Sequence, residues 1–162
     1  MEITVRKFAV SDLPFVKEML YEAVYWRKSE GTPSIKEAMQ NSDFLKAVRA
    51  FGEKSGDLAI IAESGSSPVG AVWIRYWKKE DEVRGFISAD IPVLAIAVKE
   101  DCRHKGIGLK MIEALKAFAA EESINKISLC VSKDNFAYNL YKQCGFSIYN
   151  DIVDSFNMLV DI

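Results

Sequence analysis

Apolar and polar positions follow two periods along this chain, and the places where the period changes mark its elements. From Leu13, apolar residues recur at Val16, Met19, Leu20 and Val24, the spacing of a helix with one buried face. Ser11-Asp12 offers an N-cap and Pro14 a first-turn residue, so this helix is expected to run to about Arg27, after a short strand from Ile3 to Lys7. Gly31-Thr32-Pro33-Ser34 interrupts the chain, and Ile35, Ala38, Met39, Phe44, Leu45 and Val48 predict a second helix. After Gly52 the period shortens. Leu58 to Ala62 and Val69 to Trp77 are β-rich runs, and Glu63 to Pro68 between them reads as a hairpin connection.

Lys78 to Asp90 is charged, contains Gly85 and is expected to be a surface loop, whereas Pro92 to Val98 is a continuous apolar run suited to a central strand. Gly108 to Glu122 is helical, with Met111, Ile112, Leu115, Phe118 and Ala119 on one face and Lys110, Glu113, Lys116 and Glu121 on the other. Lys126 to Val131 is a strand. Asp134 or Asn135 caps a short helix to about Gln143, Gly145 ends it, and Phe146 to Tyr149 and Phe156 to Val160 are the last strands. The expected order is β-α-α-β-β-β-α-β-α-β-β. No repeat, low-complexity segment or linker divides it, so residues 1–162 are expected to form a single domain.

Composition narrows the class. Hydrophobic residues at 49% and charged residues at 27% suit a soluble globular protein, a monomer or a homodimer. A net charge of -2 leaves no basic field to hold nucleic acid or an anionic membrane, so any phosphate must be caught locally. The longest apolar run, Ile91 to Val98, is far short of the roughly 20 residues that span a bilayer. The first residues lack the order of a signal peptide, and a cytoplasmic location is expected. Cys102, Cys130, Cys144 and the single His104 are too few for a zinc site or a disulfide framework; free thiols and no metal are expected.

The informative stretch is Val98-Lys99-Glu100-Asp101-Cys102-Arg103-His104-Lys105-Gly106-Ile107-Gly108-Leu109, between a buried strand and an amphipathic helix. Two glycines at a helix start let the backbone curl and expose consecutive N–H groups, which with the helix dipole form an anion site. Arg103 and Lys105 add positive charge. A Walker loop requires Lys-Ser or Lys-Thr after its last glycine, and here Leu109-Lys110 follows Gly108. A dinucleotide fingerprint requires a third glycine where Met111 stands and an acid at the end of the next strand, which reads Cys130-Val131.

Arg103, Gly106 and Gly108 instead resemble the acyl-coenzyme A loop of the GNAT superfamily. Asp134-Asn135-Phe136-Ala137-Tyr138-Asn139-Leu140-Tyr141-Lys142-Gln143-Cys144-Gly145-Phe146 resembles that family's second block, in the right order and at the right separation. The resemblance implies a mixed α/β fold with a central, mostly antiparallel sheet whose fourth and fifth strands run parallel and splay apart. It implies an N-acetyltransferase that takes acetyl-coenzyme A as co-substrate. Backbone groups of Ile96, Ala97 and Val98 would hold the pantetheine, amides of His104, Lys105, Gly106, Ile107, Gly108 and Leu109 the pyrophosphate, and Asn135 the same ligand. Tyr141 would protonate the departing thiolate, a role open to a phenol that is protonated at neutral pH.

An amine acceptor must lose a proton before it attacks. Relatives often carry a glutamate near the start of the central strand, but here Val93 cannot serve, which leaves Asp90, another carboxylate or a water chain. His104 reads as a surface residue whose backbone matters. Tyr21, Tyr25 and Trp26 on the first helix, and Trp73, Arg75 and Trp77 along a strand, are candidates for an acceptor pocket, though such aromatics also serve as core. The alternative function is a non-catalytic acyl-coenzyme A binding or sensing domain.

Overall fold

The computed structural model describes residues 2–162. Seven strands, β1 (Ile3–Lys7), β2 (Leu58–Ser64), β3 (Ser67–Arg75), β4 (Val93–Val98), β5 (Lys126–Ser132), β6 (Ser147–Ile152) and β7 (Ser155–Asp161), form one sheet in the order β1-β2-β3-β4-β5-β7-β6. Every pairing is antiparallel except β4 with β5. The helices are α1 (Leu13–Val24), α2 (Ile35–Ala38), α3 (Ser42–Leu45), α4 (Ile107–Glu121) and α5 (Ala137–Gln143).

Three details depart from the pattern read along the chain. The single helix expected from Ile35 to Val48 is broken in two, because the Asn41 side chain accepts from the amides of Asp43 and Phe44 at 2.9 and 3.2 Å and starts α3. Helix α1 stops at Val24 instead of about Arg27, with Tyr25 leaving helical geometry at ψ 42° to stack on Phe44. The β2–β3 connection is only Gly65-Ser66, with Pro68 inside the strand opposite Glu63. Asp12 does not cap α1 with its side chain. Its carboxylate accepts from the Ala9 amide and from Arg6, which holds that carboxyl below its ordinary range.

Side-chain alternation divides the core between the two faces of the sheet. Ala59, Ile61, Ala71, Trp73 and Ala97 pack under α1 with Phe15, Val16, Met19 and Leu20. On the other face Ile60, Val72, Ile74, Leu94, Ile127, Leu129 and Met158 pack under α4, whose Met111, Ile112, Leu115 and Ala119 are all fully buried. Full burial of each such side chain contributes about 1.5–3 kcal/mol, so these two layers fix how the strands lie.

Strands β4 and β5 share one registered pair, Val93 with Ser128, where the Ser128 amide donates to the Pro92 carbonyl at 3.0 Å. Beyond it they diverge. Val83 to Ala89 crosses the base of this wedge, and Gly85 explains how. A Cβ there would stand 3.0 Å from the Cys130 nitrogen and the Leu129 carbonyl carbon, and its φ is +88°, so only glycine sits here without strain. Ser128 Oγ donates to the Gly85 carbonyl at 2.8 Å and pins the crossing.

Candidate active site

The wedge opens into a cleft of about 890 Å³ bounded by α1, β3, β4, the Val83–Arg84 crossing, the start of α4, the end of β5 and α5. Its walls differ from one end to the other.

At the α4 end the lining is backbone. Peptide groups two residues apart turn the same way along a strand. The Lys99 amide donates to Val69 on β3, and the odd residues of β4 pair with β3 in the same sense, so the even ones face β5. Past the single β4–β5 pair no strand meets them. The peptide groups of Ile96 and the Val98 N–H are therefore turned into the cleft, while the Val98 carbonyl accepts from Arg103 Nε at 3.0 Å. The chain then makes a 3₁₀ turn at Glu100–Cys102 and passes through two left-handed residues, His104 at φ +61° and Gly106 at φ +80°, before α4 begins at Ile107. The first-turn amides of α4 have no intrahelical partners, and a 15-residue helix stands behind them.

The two glycines of this loop do different work. Gly106 has open space where a Cβ would be and is required by its φ alone, whereas a Cβ on Gly108 would meet Leu140 Cδ2 of α5 at 2.8 Å. Gly108 lets α4 and α5 approach each other. The charge expected from the loop is also disposed differently. Arg103 Nη2 donates to Glu22 of α1 at 3.1 Å, and Lys105 Nζ donates to the Asp101 carbonyl at 3.0 Å, so both cations brace the loop. His104 is exposed and meets Phe136 edge to face across the cleft, with ring centroids 5.8 Å apart; Phe136 itself is 74% exposed.

Tyr141 lies on α5 with its ring against Phe146, at 5.9 Å, and lines the cleft. No side chain or backbone group among the described residues hydrogen-bonds its hydroxyl. Burial, with smaller contributions from Cys144 and Cys130, raises its pKa well above the ordinary tyrosine value, so the hydroxyl keeps its proton throughout the neutral and mildly alkaline range. Tyr138 instead packs on Phe156 at 5.4 Å. Asn135 lines the cleft, and its Oδ1 accepts from the Ala137 amide at 2.9 Å, which starts α5.

The other end of the cleft is lined by side chains: Trp26 just after α1, Trp73 and Arg75 from β3, Trp77 just beyond it, and Arg84. Arg75 is 1% exposed and held by two hydrogen bonds of 2.9 Å to Asp57 and one of 3.1 Å to the Lys46 carbonyl. Tyr21 and Tyr25 stand outside the cleft, with Tyr21 donating to the Pro33 carbonyl at 2.7 Å. Asp90 is exposed on the turn before β4 and also stands outside the lining; after burial, its charge helps raise the Tyr76 phenol. Glu22, Arg84, Cys130 and Ser132 line the cleft and were not singled out as site residues by any sequence pattern, because topology alone brings them together; Asp134, read as a helix cap, lines it too. Among the described residues no cluster of three or more His, Cys, Asp or Glu could hold a metal, and no helix is long and apolar enough to cross a membrane.

The sequence profile of the acetyltransferase (GNAT) family matches residues 20–146. No curated protein matches the sequence. Among solved structures, the PaiA N-acetyltransferase of Thermoplasma acidophilum in complex with coenzyme A is similar over 100% of both chains, at 19% identity and a TM-score of 0.70. The ribosomal-protein-alanine N-acetyltransferase of Brucella melitensis, at 18% identity and a TM-score of 0.67, is matched over 98% of this chain and 99% of its own. YncA of Salmonella typhimurium, solved with its cofactor acetyl-CoA, is 16% identical, with a TM-score of 0.66 over 98% of this chain and 93% of its own. At such identities the likeness is one of fold.

Proposed function

Because the chain belongs to the acetyltransferase (GNAT) family, we propose that it moves the acetyl group of acetyl-coenzyme A onto a primary amine of a small molecule or peptide, by direct attack on the thioester. The observation that carries this reading is the pairing, in one cleft, of a backbone cradle with an unengaged tyrosine hydroxyl. The free peptide groups of Ile96 and the free Val98 N–H fit an amide-bearing arm, as a missing strand would, and the amides from His104 to Leu109 fit a pyrophosphate. Two of the structural neighbours, solved with coenzyme A or acetyl-CoA, support this assignment. The continuous seven-stranded sheet supports a single domain over residues 1–162. Three free thiols, two of them buried, support a cytoplasmic location.

In the proposed step the C–N bond forms as the C–S bond breaks. The sulfur takes its proton from the Tyr141 hydroxyl, which regains one from water. That hydroxyl, held protonated by burial, hydrogen-bonds the sulfur as negative charge develops there. An acyl-cysteine route is less well served. Burial pushes the Cys144 thiol up to about 11, and no base is hydrogen-bonded to Cys130 among the described residues. The acceptor's ammonium loses its proton to a chain of waters in the open cleft, because Asp90 stands outside the lining. Asp90→Asn then changes kcat/KM by less than about threefold, and a larger loss at unaltered cofactor affinity would make Asp90 the base. Calorimetry with acetyl-coenzyme A, followed by mass-spectrometric detection of acetylated amines, tests the whole reading. A protein that binds the thioester and transfers to no amine is instead a sensor.

A further inference from the structure

The side-chain end of the cleft carries one cation that no carboxylate balances. Glu22 is engaged by Arg103 at 3.1 Å and Lys28 at 3.7 Å, Asp134 by Arg27, and the cation Arg75 by Asp57 at 2.9 Å. Arg84 stands apart from these pairs. Among the described residues its guanidinium makes one side-chain hydrogen bond, to Ser155 Oγ at 2.6 Å, and that hydroxyl in turn donates to Asp154 Oδ1 at 3.0 Å. Its backbone is not free to wander, since the next residue is the glycine wedged against β5 and pinned by Ser128.

The wall beside Arg84 is polar. Sheet register sets Cys130 opposite Asn157 and Ser132 opposite Ser155, so these four share one face, and Cys130 and Ser132 line the cleft.

We propose that this wall selects the acceptor: the amine that is acetylated belongs to a small molecule carrying a carboxylate, of the amino-acid kind, with Arg84 holding the carboxylate. The inference rests on the acetyltransfer reading above. A diamine or polyamine finds no free carboxylate here, because both cleft carboxylates are already paired. A carboxylate finds a guanidinium with donors to spare and a charge-assisted geometry suited to it.

The experiment compares initial rates of coenzyme A release for a panel of amino acids, their carboxamides and spermidine, with acetyl-coenzyme A binding measured separately by calorimetry. The expected result is kcat/KM higher for a carboxylate than for its carboxamide by on the order of tenfold or more. Arg84→Gln collapses that ratio without altering the Kd for acetyl-coenzyme A, and Arg84→Lys restores part of it. Preference for spermidine or the carboxamides, turnover of no carboxylate, or a ratio that survives Arg84→Gln would overturn the proposal. Failure to bind acetyl-coenzyme A would overturn the acetyltransfer reading instead, so the two failures are distinct.

Discussion

The two ends of the cleft are built from different materials. At the α4 end the chain presents peptide groups, those of Ile96 and Val98 and the first amides of α4, set by strand parity and by a left-handed Gly106. At the opposite end Trp26, Trp73, Trp77, Arg75 and Arg84 present side chains from three separate stretches. A backbone site places strict demands on dihedral angles, and it tolerates change in the side chains that point away from it. A side-chain site can be rebuilt by any substitution while the fold stays as it is. One end therefore suits a ligand common to a family, and the other a ligand particular to one member.

That contrast can be broken at several points. The largest effect is expected at Tyr141, where Tyr141→Phe lowers kcat by about 10² to 10⁴ with little change in the KM for acetyl-coenzyme A. The sign of its pH dependence follows from its raised pKa. The acid form is needed and persists above the ordinary value near 10, so wild-type kcat shows no descending limb up to about pH 10 in stopped-time assays. A descending limb near 9 would assign the proton to another group.

Next comes the ion pair behind the side-chain end. Asp57 accepts from Arg75 twice and from the Gly52 and Lys54 amides at 3.0 and 3.2 Å, and Asp57→Ala strands a buried guanidinium between Phe51 and Trp77. About 3–5 kcal/mol of stability should be lost in denaturant titration. Gly106→Val is expected to weaken acetyl-coenzyme A binding by about tenfold or more, because a β-branched residue at φ +80° costs on the order of 1–3 kcal/mol and turns the amides that follow. Circular dichroism should remain that of the folded protein. Smallest is His104→Ala. Losing the edge-to-face contact with Phe136 raises the KM for acetyl-coenzyme A by about two- to threefold and leaves the rising limb of kcat/KM against pH in place.

The same contrast sets what the letters disclose. Order and type of nearly every element are legible, since burial on both faces makes β2 to β4 short continuous apolar runs and burial on one face gives α4 its period of 3.6. The α4 loop is legible for the same kind of reason: Gly106 leaves a mark because few other residues hold its φ. Asn41, which splits the second helix, is a capping residue hidden inside an otherwise periodic run. Gly85 reads as loop punctuation, and its packing against Leu129 and Cys130 follows from contacts more than forty residues distant. Arg84 carries no local signal at all, because its place beside the cleft arises only when the stretch before β4 is set against β5 and Ser155. Trp73 and Arg75 were visible as one face of a strand, but not what that face looks onto.

Amide chemical shifts followed by NMR during titration with acetyl-coenzyme A address the central claim most directly. Saturable shifts at Ile96, Val98 and the amides from His104 to Leu109, with the helix α1 and strand β1 amides still, are the predicted result. Saturable binding that leaves those amides unmoved, and shifts another part of the surface instead, would contradict the assignment of the splayed β4–β5 wedge and the α4 N-terminus as the cofactor cradle.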